Sequence, residues 1–354
     1  VLIDVARSVN LSSTARQALA DGPDLPGRLA DLFAEYTAEG QVERRRLSIE
    51  LSRAAHHSEV LQGDLASYNE RLRGALGATI TAARPALAAD PEEAALLAHL
   101  LLILLMGAIH LDTLDSSRIG DPDLIAFLRD RLARILDAAP ERDTEPRTHV
   151  ASARRRTDPE DEPGDGRRRR AVRTRRRILE AASELFALRG YDGATVDMIA
   201  AQAEITVPGL YRHIASKEEL LVEVGRHTFE GYLMARPLES GASPAERLAA
   251  LMCAFSSAGD RVARRLAIEL DFGAWRNPVL AEGLRSSHLA VRRNVARSLA
   301  AAAPDRDPAE CELAALVALV LFMGTAHIDT IDPSLVDDPA WCDLLHRRMA
   351  QLVL

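Results

Sequence analysis

The sequence predicts an all-α protein. Alanine and leucine dominate a chain of 354 residues in which aromatic residues make up only 4%, and this composition favours helices over sheets. Apolar residues recur at helical spacing in the clearest segment, residues 178–188. Hydrophobic residues make up 47% of the chain, so it can bury large cores and is long enough for more than one domain.

The stretch from Arg173 to Val224 predicts a run of helices separated by short breaks. An arginine-rich start leads into an amphipathic helix, with apolar residues at Ile178, Leu179, Ala182, Leu185, Phe186 and Leu188. Thr195 can N-cap a short helix over 196–203, and Thr206 can cap another that carries residues 207–213. Ser216 and Glu219 form a capping box for the next helix. Long helix, short helix, tight turn and short helix describe a helix-turn-helix DNA-binding unit.

Two strings inside this stretch carry a family resemblance. GYDGATVDMIA (190–200) followed by LYRHIASKEEL (210–220) resembles the DNA-binding domain of the TetR family of transcriptional regulators. Glu204 lies in the turn where the family often has Gly or Asn, and a non-glycine residue at positive φ would be strained there. Ile214 replaces the usual Phe, an apolar exchange. Pro208 lies in the first helical turn, where a missing N–H costs little.

The helix from Thr206 is short enough to enter the major groove by its N-terminal end. We expect five residues nearest the bases: Thr206, Val207, Pro208, Gly209 and Arg212. Arg212 is the only long donor among them, and it can grip either guanine or phosphate. Val207 and Pro208 offer only apolar contact. We call the DNA-binding unit at residues 173–219 the reader. Its core should be formed by Ile199, Leu210 and Ile214 together with Leu185 and Phe186.

The resemblance implies further phosphate contacts at Tyr211, His213 and Lys217, and Thr195 can contact phosphate from a helix start. The alternatives are packing for Tyr211 and His213 and plain solvation for Lys217. The net charge of −8 excludes a uniformly basic surface, but the arginines of 167–177 form a local basic patch.

The chain repeats itself. RRRLSIEL (44–51) matches ARRLAIEL (263–270), an offset of 263 − 44 = 219. MGAIHLDTLD (106–115) matches MGTAHIDTID (323–332), an offset of 323 − 106 = 217. VLIDVARS (1–8) also matches LLVEVGRH (220–227). The sequence therefore predicts two copies of one helical domain, at 1–138 and 220–354.

Between the copies we expect a charged, flexible linker at 139–172 and the DNA-binding domain at 173–219. Position 1 corresponds to Leu220, just beyond the reader of the second copy. We therefore expect that a first reader is encoded upstream. A start codon directly before Val1 would contradict this.

TetR-family proteins are generally homodimers, so the resemblance implies two subunits fused into an intrachain pseudo-dimer. The apolar helices 94–111 and 311–328 are the expected interface, each followed by an Asp-Pro helix start. If only one reader exists, two chains must associate as a homodimer to cover two half-sites. Helix 94–111 contains His99 and His110, which favours a buried packing helix over a membrane span.

The resemblance also implies a small-molecule effector in the larger domain. The expected wall residues are Met252, Phe255, Phe272 and Trp275, with Phe33, Tyr36 and His56 at comparable places in the first copy. Packing in the core is the alternative for all of them. The two copies differ at these positions, so they need not bind the same ligand.

The twin H-x-D-T-x-D strings (110–115 and 327–332) invite a metal or hydrolase interpretation. Residues two apart on a helix point to different sides, so capping aspartates and interface histidines explain the strings better. No phosphate loop or hydrolase motif is present, and we expect no catalysis, cofactor or metal. The three cysteines (Cys253, Cys311 and Cys342) lack metal spacing and fit a reduced, cytoplasmic protein.

Together these patterns predict a sequence-specific transcriptional regulator, a repressor released from its double-stranded operator by a small-molecule effector. The alternatives are a ligand-binding helical protein whose reader has decayed, and an enzyme built on a helical bundle.

Overall fold

The computed structural model describes residues 22, 24–138, 166–233, 243–336 and 338–354, without the side chains of 166–168 and 228–233. Within these ranges the regular structure is helical, which confirms the predicted class. The first half comprises α1 Leu25–Thr37, α2 Val42–Ala55, α3 Glu59–Ala83, α4 Pro85–Ala88, α5 Pro91–Ala108, α6 Leu111–Asp115 and α7 Pro122–Asp137. The reader region comprises α8 Gly166–Gly193, α9 Val196–Gln202, α10 Val207–Leu210 and α11 Lys217–Leu233. The second half comprises α12 Pro244–Ser256, α13 Arg261–Arg276, α14 Pro278–Ala302, α15 Pro308–Ile331 and α16 Pro339–Val353.

The five longer helices of the first half, α1, α2, α3, α5 and α7, recur in the same order in the second half at the offsets found in the sequence. The first positions of α12 and α1 differ by 244 − 25 = 219, and those of α16 and α7 differ by 339 − 122 = 217. Asp121 and Asp338, just before the prolines, accept the backbone N–H two residues on and so cap α7 and α16.

A buried arginine is held in the same way in each half. Arg45 donates to Asp112 (2.5 Å) and to the carbonyl of Ala38 (2.8 Å). Its equivalent Arg264 donates to Asp329 (2.9 Å) and to the carbonyl of Ser257 (2.7 Å). The first aspartate of each H-x-D-T-x-D string, Asp112 or Asp329, therefore holds a buried arginine.

Helices α5 and α15 cross at the centre of the protein. A side chain on Gly107 would overlap the carbonyl of Val320, and one on Gly324 would overlap the carbonyl of Ile103. Gly107 and Gly324 are equivalent, as are Ile103 and Val320, because both pairs have the repeat offset (324 − 107 = 320 − 103 = 217). The two backbones therefore approach each other closely at equivalent positions of the two halves.

Both helices are long and apolar enough to pass a length-and-composition test for a membrane span. In the fold, 78% of the apolar window of α5 and 94% of that of α15 are buried. They are core helices of the described structure, and their hydrophobicity is explained by packing on both sides.

The predicted linker and the N-terminal repeat lie partly or wholly outside the residues that the structure describes. Helix α8 begins at Gly166, so residues 166–172 are helical where we predicted linker. Arginine is a good helix former, and the run continues directly into the amphipathic segment. Residues 1–21, with the VLIDVARS repeat, and the remaining linker, 139–165, lie outside the described residues.

Candidate nucleic-acid interface

The two short helices of the reader begin where the caps predict. The Thr195 hydroxyl accepts the N–H of Met198 (3.2 Å), and the Thr206 hydroxyl accepts the N–H of Gly209 (3.2 Å). Helix α10 is shorter than predicted, because residues 211–213 form turns beyond Leu210. At α11, Ser216 caps the N–H of Glu219, but the Glu219 carboxylate reaches back to Ala215 instead of Ser216.

The turn between α9 and α10 depends on Glu204, which has φ 52° in the left-handed region. Its N–H donates to the carbonyl of Ala201 (3.0 Å), and Ile205 N–H donates to that of Ala200 (2.9 Å). Arg177 reaches across from α8 and donates to the carbonyl of Ala203 and to the Glu204 carboxylate. The strain expected for a non-glycine residue is therefore present, and an arginine of the basic segment braces it.

The core beneath the turn is the predicted one. Ile199, Leu210 and Ile214 are buried with Leu185 and Phe186. Leu188 was wrongly placed on the same apolar face, since its side chain is 59% exposed near the end of the helix. Leu266 and Leu270 of α13 belong to the same cluster, so the reader packs directly on the second half.

The predicted DNA contacts keep exposed surface. Five are exposed: Thr195, Thr206, Pro208, Tyr211 and Arg212. The other four are half-buried: Val207, Gly209, His213 and Lys217. Among the described residues no acceptor holds the Arg212 guanidinium, so its donors remain available for a base or a phosphate. Tyr211 is 50% exposed, which does not match the packing alternative.

Lys217 stands at the start of α11 over the ring of Tyr191, with its ammonium 4.2 Å from the ring centroid. Partial burial lowers the pKa of Lys217. The Tyr191 hydroxyl donates to Glu218 (2.8 Å), which fixes the ring. The aromatic contact orients the lysine without neutralising it, as a phosphate-binding residue requires.

Several arginines of the basic segment 167–177 are already bound to acceptors within the protein, which the sequence does not show. Arg175 donates to Glu223 and to the carbonyl of His213 (3.0 Å), and Arg176 pairs with Glu180 (3.0 Å). With Arg177 on Glu204, three arginines of the patch are internal braces. Sequence reasoning missed this because their partners lie up to 48 residues away.

A buried carboxylate fastens the reader to α13. Gly190, at φ 70°, ends the regular part of α8, and Tyr191 N–H donates to Glu269 (3.1 Å). Burial raises the pKa of Glu269. Arg276 at the end of α13 pairs with Asp192 (3.2 Å) on the surface. Glu269 lies within the matched repeat string, but its role needs the tertiary structure to be seen.

The predicted effector residues occupy two different settings. Met252 and Phe255 on α12 are buried in the main core, and the Phe255 ring packs at a tilt against that of Phe322, with 5.2 Å between centroids. Phe272 and Trp275 on α13 are only partly buried.

The rings of Phe272 and Trp275 lie under arginines of the first half. Arg53 is 4.0 Å from the Phe272 ring centroid, and Arg46 is 5.7 Å from that of Trp275. Among the described residues, no three His, Cys, Asp or Glu side chains come together as a metal site would require.

Comparison with known proteins agrees with this geometry. Residues 178–224 match the model of the family described as "Bacterial regulatory proteins, tetR family". This chain carries a TetR-family DNA-binding domain. The matched segment spans the second half of α8, the α9–α10 pair and the start of α11.

Named relatives match mainly over a short stretch. The transcriptional activator FasR of Mycolicibacterium smegmatis is 46% identical over 69 residues, covering 18% of this chain and 32% of FasR. The transcriptional repressor KstR2 of Mycobacterium tuberculosis is 44% identical over 80 residues, covering 22% of this chain and 40% of KstR2. The chain thus spans well under half of the length of these relatives.

Among solved structures, a transcriptional regulator from Rhodococcus is 22% identical and aligns with a TM-score of 0.43. The alignment covers 50% of this chain and 95% of the regulator.

Proposed function

We propose that this protein is a sequence-specific DNA-binding transcriptional regulator. The observation that carries the proposal is the reader itself, in which capped helices and a buried core present an exposed Arg212 with no internal acceptor among the described residues. An intact core, braced turn and capped helices favour a working reader over a decayed one. FasR and KstR2, which resemble the reader, are named a transcriptional activator and a transcriptional repressor.

The proposed contacts divide into two sets. Thr206, Val207, Pro208, Gly209 and Arg212 face the bases from the start of α10. Thr195, Tyr211, His213 and Lys217 hold phosphates on either side. Thr195 and Thr206 have their hydroxyl oxygens turned to backbone N–H groups, and each hydroxyl retains a proton to donate to DNA.

The two halves form an intrachain pseudo-dimer in this proposal. The support is the crossing of α5 and α15 at Gly107 and Gly324, with equivalent residues on both sides of the crossing. One reader is described, so a second chain or a second reader is needed to occupy two half-sites about one DNA turn apart.

Regulation in this proposal is release of the operator by a small-molecule effector. Phe272 and Trp275 share helix α13 with Glu269, which holds the reader at Tyr191. A ligand that displaced the arginines above these rings would move the helix on which the reader rests. Catalysis, a cofactor and a membrane have no part in the proposal, and the protein acts in the cytoplasm.

Fluorescence anisotropy tests the DNA-binding proposal. The intact chain is titrated against DNA from upstream of its own gene and against a scrambled duplex, at several salt concentrations. A preference of about a thousandfold or more for the native duplex at moderate salt is expected from a specific regulator. Equal, salt-sensitive binding to both duplexes would favour the decayed reader instead. A reporter gene under the same DNA then shows whether bound protein represses or activates.

A further inference from the structure

Four buried polar side chains form a continuous hydrogen-bonded chain across the boundary between the halves. Ser52 Oγ lies 2.7 Å from His327 Nε2, and His327 Nδ1 lies 3.1 Å from His110 Nε2. His110 Nδ1 lies 2.5 Å from a carboxylate oxygen of Asp271. None of the four residues is more than 1% exposed.

The Asp271 carboxylate fixes the donor and the acceptor of every hydrogen bond in this network. Asp271 only accepts, so His110 Nδ1–H donates to it and His110 Nε2 is left to accept from His327 Nδ1–H. His327 Nε2 then accepts the Ser52 hydroxyl proton. All four ring nitrogens of His110 and His327 are then hydrogen-bonded while both rings are neutral. The hydroxyl of Thr113 donates to the second oxygen of Asp271, so the buried charge has two donors.

The ends of the chain are equivalent positions that hold different residues. The positions of Asp271 and Ser52 differ by the repeat offset, 271 − 52 = 219, and those of His327 and His110 differ by 327 − 110 = 217. A pairing of two second halves would place two aspartates around two histidines. Two lone pairs would then face each other between the rings, unless an extra proton entered a buried site. Only one carboxylate per histidine pair therefore lets every ring nitrogen be hydrogen-bonded while both rings are neutral.

A second contact opposes the pairing of two first halves. Arg53 and Phe272 are also equivalent (272 − 53 = 219), and they stack on each other at 4.0 Å across the boundary. Two first halves would bring Arg53 against a second Arg53. The basic residue on one half and the aromatic ring on the other are complementary only between unlike halves.

The ends of the interface add the same asymmetry. Glu93 of α5 accepts from Arg347 (2.6 Å) and Arg348 (2.7 Å) of α16. The equivalent of Arg347 in the first half is Asp130 (347 − 217 = 130). A first half facing its own kind would place Asp130 where Arg347 lies. Glu93 would then keep only Arg131, the equivalent of Arg348, and would gain a carboxylate beside it.

We propose that the two halves of this chain are mutually selective partners: each recognises the unlike half and rejects a copy of itself. The inference rests on the intrachain pseudo-dimer of the proposed function and identifies the residues that enforce it. Ser52 and Asp271 set the selectivity at the centre, and Arg53 with Phe272 sets it beside them.

A double-mutant cycle on the full chain tests the proposal. Ser52→Asp, Asp271→Ser and the exchange S52D/D271S are compared by denaturant unfolding. Each single change should destabilise the protein. The exchange should restore a directed chain that runs the opposite way, with the carboxylate on His327. If the two single changes acted independently, their effects on the folding equilibrium constant would multiply. The constant measured for the exchange should be about tenfold larger than that product, as expected for groups in one network.

The matched control moves the same charge elsewhere. D271S with Ser286→Asp has the net charge of the exchange, but Ser286 is exposed on α14, so no restoration is expected. If the single variants do not fold and the exchange does, the rescue itself supports the proposal. If none folds, Asp271→Asn and Ser52→Ala form a milder cycle, expected to couple by about threefold.

If the free-energy effects of changing positions 52 and 271 simply add, the proposal is overturned, because two residues that face each other in one network should couple. Repeating the cycle at two protein concentrations separates this outcome from a failure of the pseudo-dimer. An unfolding midpoint that rises with concentration would show that halves pair between chains, while the coupling would still report whether unlike halves are selected. DNA binding is not used in either measurement.

Discussion

The guanidinium of Arg177 lies 2.8 Å from the carboxylate of Glu204, the residue that turns the backbone between the two reader helices. A left-handed conformation costs a non-glycine residue about 1–2 kcal/mol. An exposed ion pair returns about 0–1 kcal/mol. The strain is therefore larger than the compensation, and the turn is a place where the reader can be stabilised.

Glu204→Gly should raise the free energy of unfolding by about 0.5–1 kcal/mol, because glycine adopts this φ without strain. Glu204→Ala removes the same carboxylate and keeps the strain, so it is the matched control. Denaturant unfolding of the full chain measures both. Equal stabilities for the glycine and alanine variants would show that the turn is not strained.

Lys217→Ala should weaken binding to all duplexes alike and lower the salt slope by about one, since a phosphate contact carries no sequence information. Anisotropy titrations at several salt concentrations measure this slope. An unchanged slope would place Lys217 outside the interface and leave only its contact with Tyr191.

Arg212→Ala should reduce the preference for specific over random DNA by roughly 1–3 kcal/mol if the guanidinium reads a base. The ratio of affinities for the two duplexes is the readout. Equal losses on both duplexes would assign Arg212 to phosphate.

Gly107→Ala should destabilise the protein by about 1–3 kcal/mol, because the added methyl group meets the carbonyl of Val320 at the helix crossing. Gly74→Ala in α3 is the control. Nothing lies within 4 Å of its added methyl group, and alanine is the better helix former, so about 0.5–1 kcal/mol of stabilisation is expected. Thermal unfolding compares the two, and a harmless Gly107→Ala would argue against the close crossing.

Stability should fall as the pH drops below about 6.5. Burial lowers the pKa of His99 to about 4, and it also lowers the pKa of His288 and His327. Between the folded and unfolded pKa values the unfolded chain is protonated and the folded chain is not. Each such histidine therefore costs about 1.4 kcal/mol per pH unit through that window, and nothing above it.

His99→Gln should reduce this pH dependence by the share of one histidine. Unfolding free energies measured at neutral pH and at two acidic pH values inside the window give the slope for each protein. A flat profile in the wild type would show that the buried histidines are not held neutral.

Local features of the reader could be predicted because their causes are local. Thr195, Thr206 and Asp121 cap helices through bonds to N–H groups two or three residues away, and the sequence shows both partners. Leu188 was placed wrongly because the apolar pattern continues into the last turn before Gly190, where the core no longer covers the helix.

The relationships that set the assembly depend on distant residues. Arg177 and Glu204 are 27 residues apart, and His110 and Asp271 are 161 apart. The repeat nonetheless contained a signal, since aligning Ser52 with Asp271 and Arg53 with Phe272 shows complementary residues at equivalent positions. Only the crossing of α5 and α15 reveals that these positions face each other.

Selection from a random duplex library with the intact chain tests the central claim most directly, because it needs no assumption about where the operator lies. Bound duplexes are recovered at moderate salt and sequenced, beside a parallel selection with Arg212→Ala. The proposed reader predicts enrichment of one motif by the wild type and a degenerate motif with the variant. Recovery of unenriched, random sequences by the wild type would contradict sequence-specific regulation.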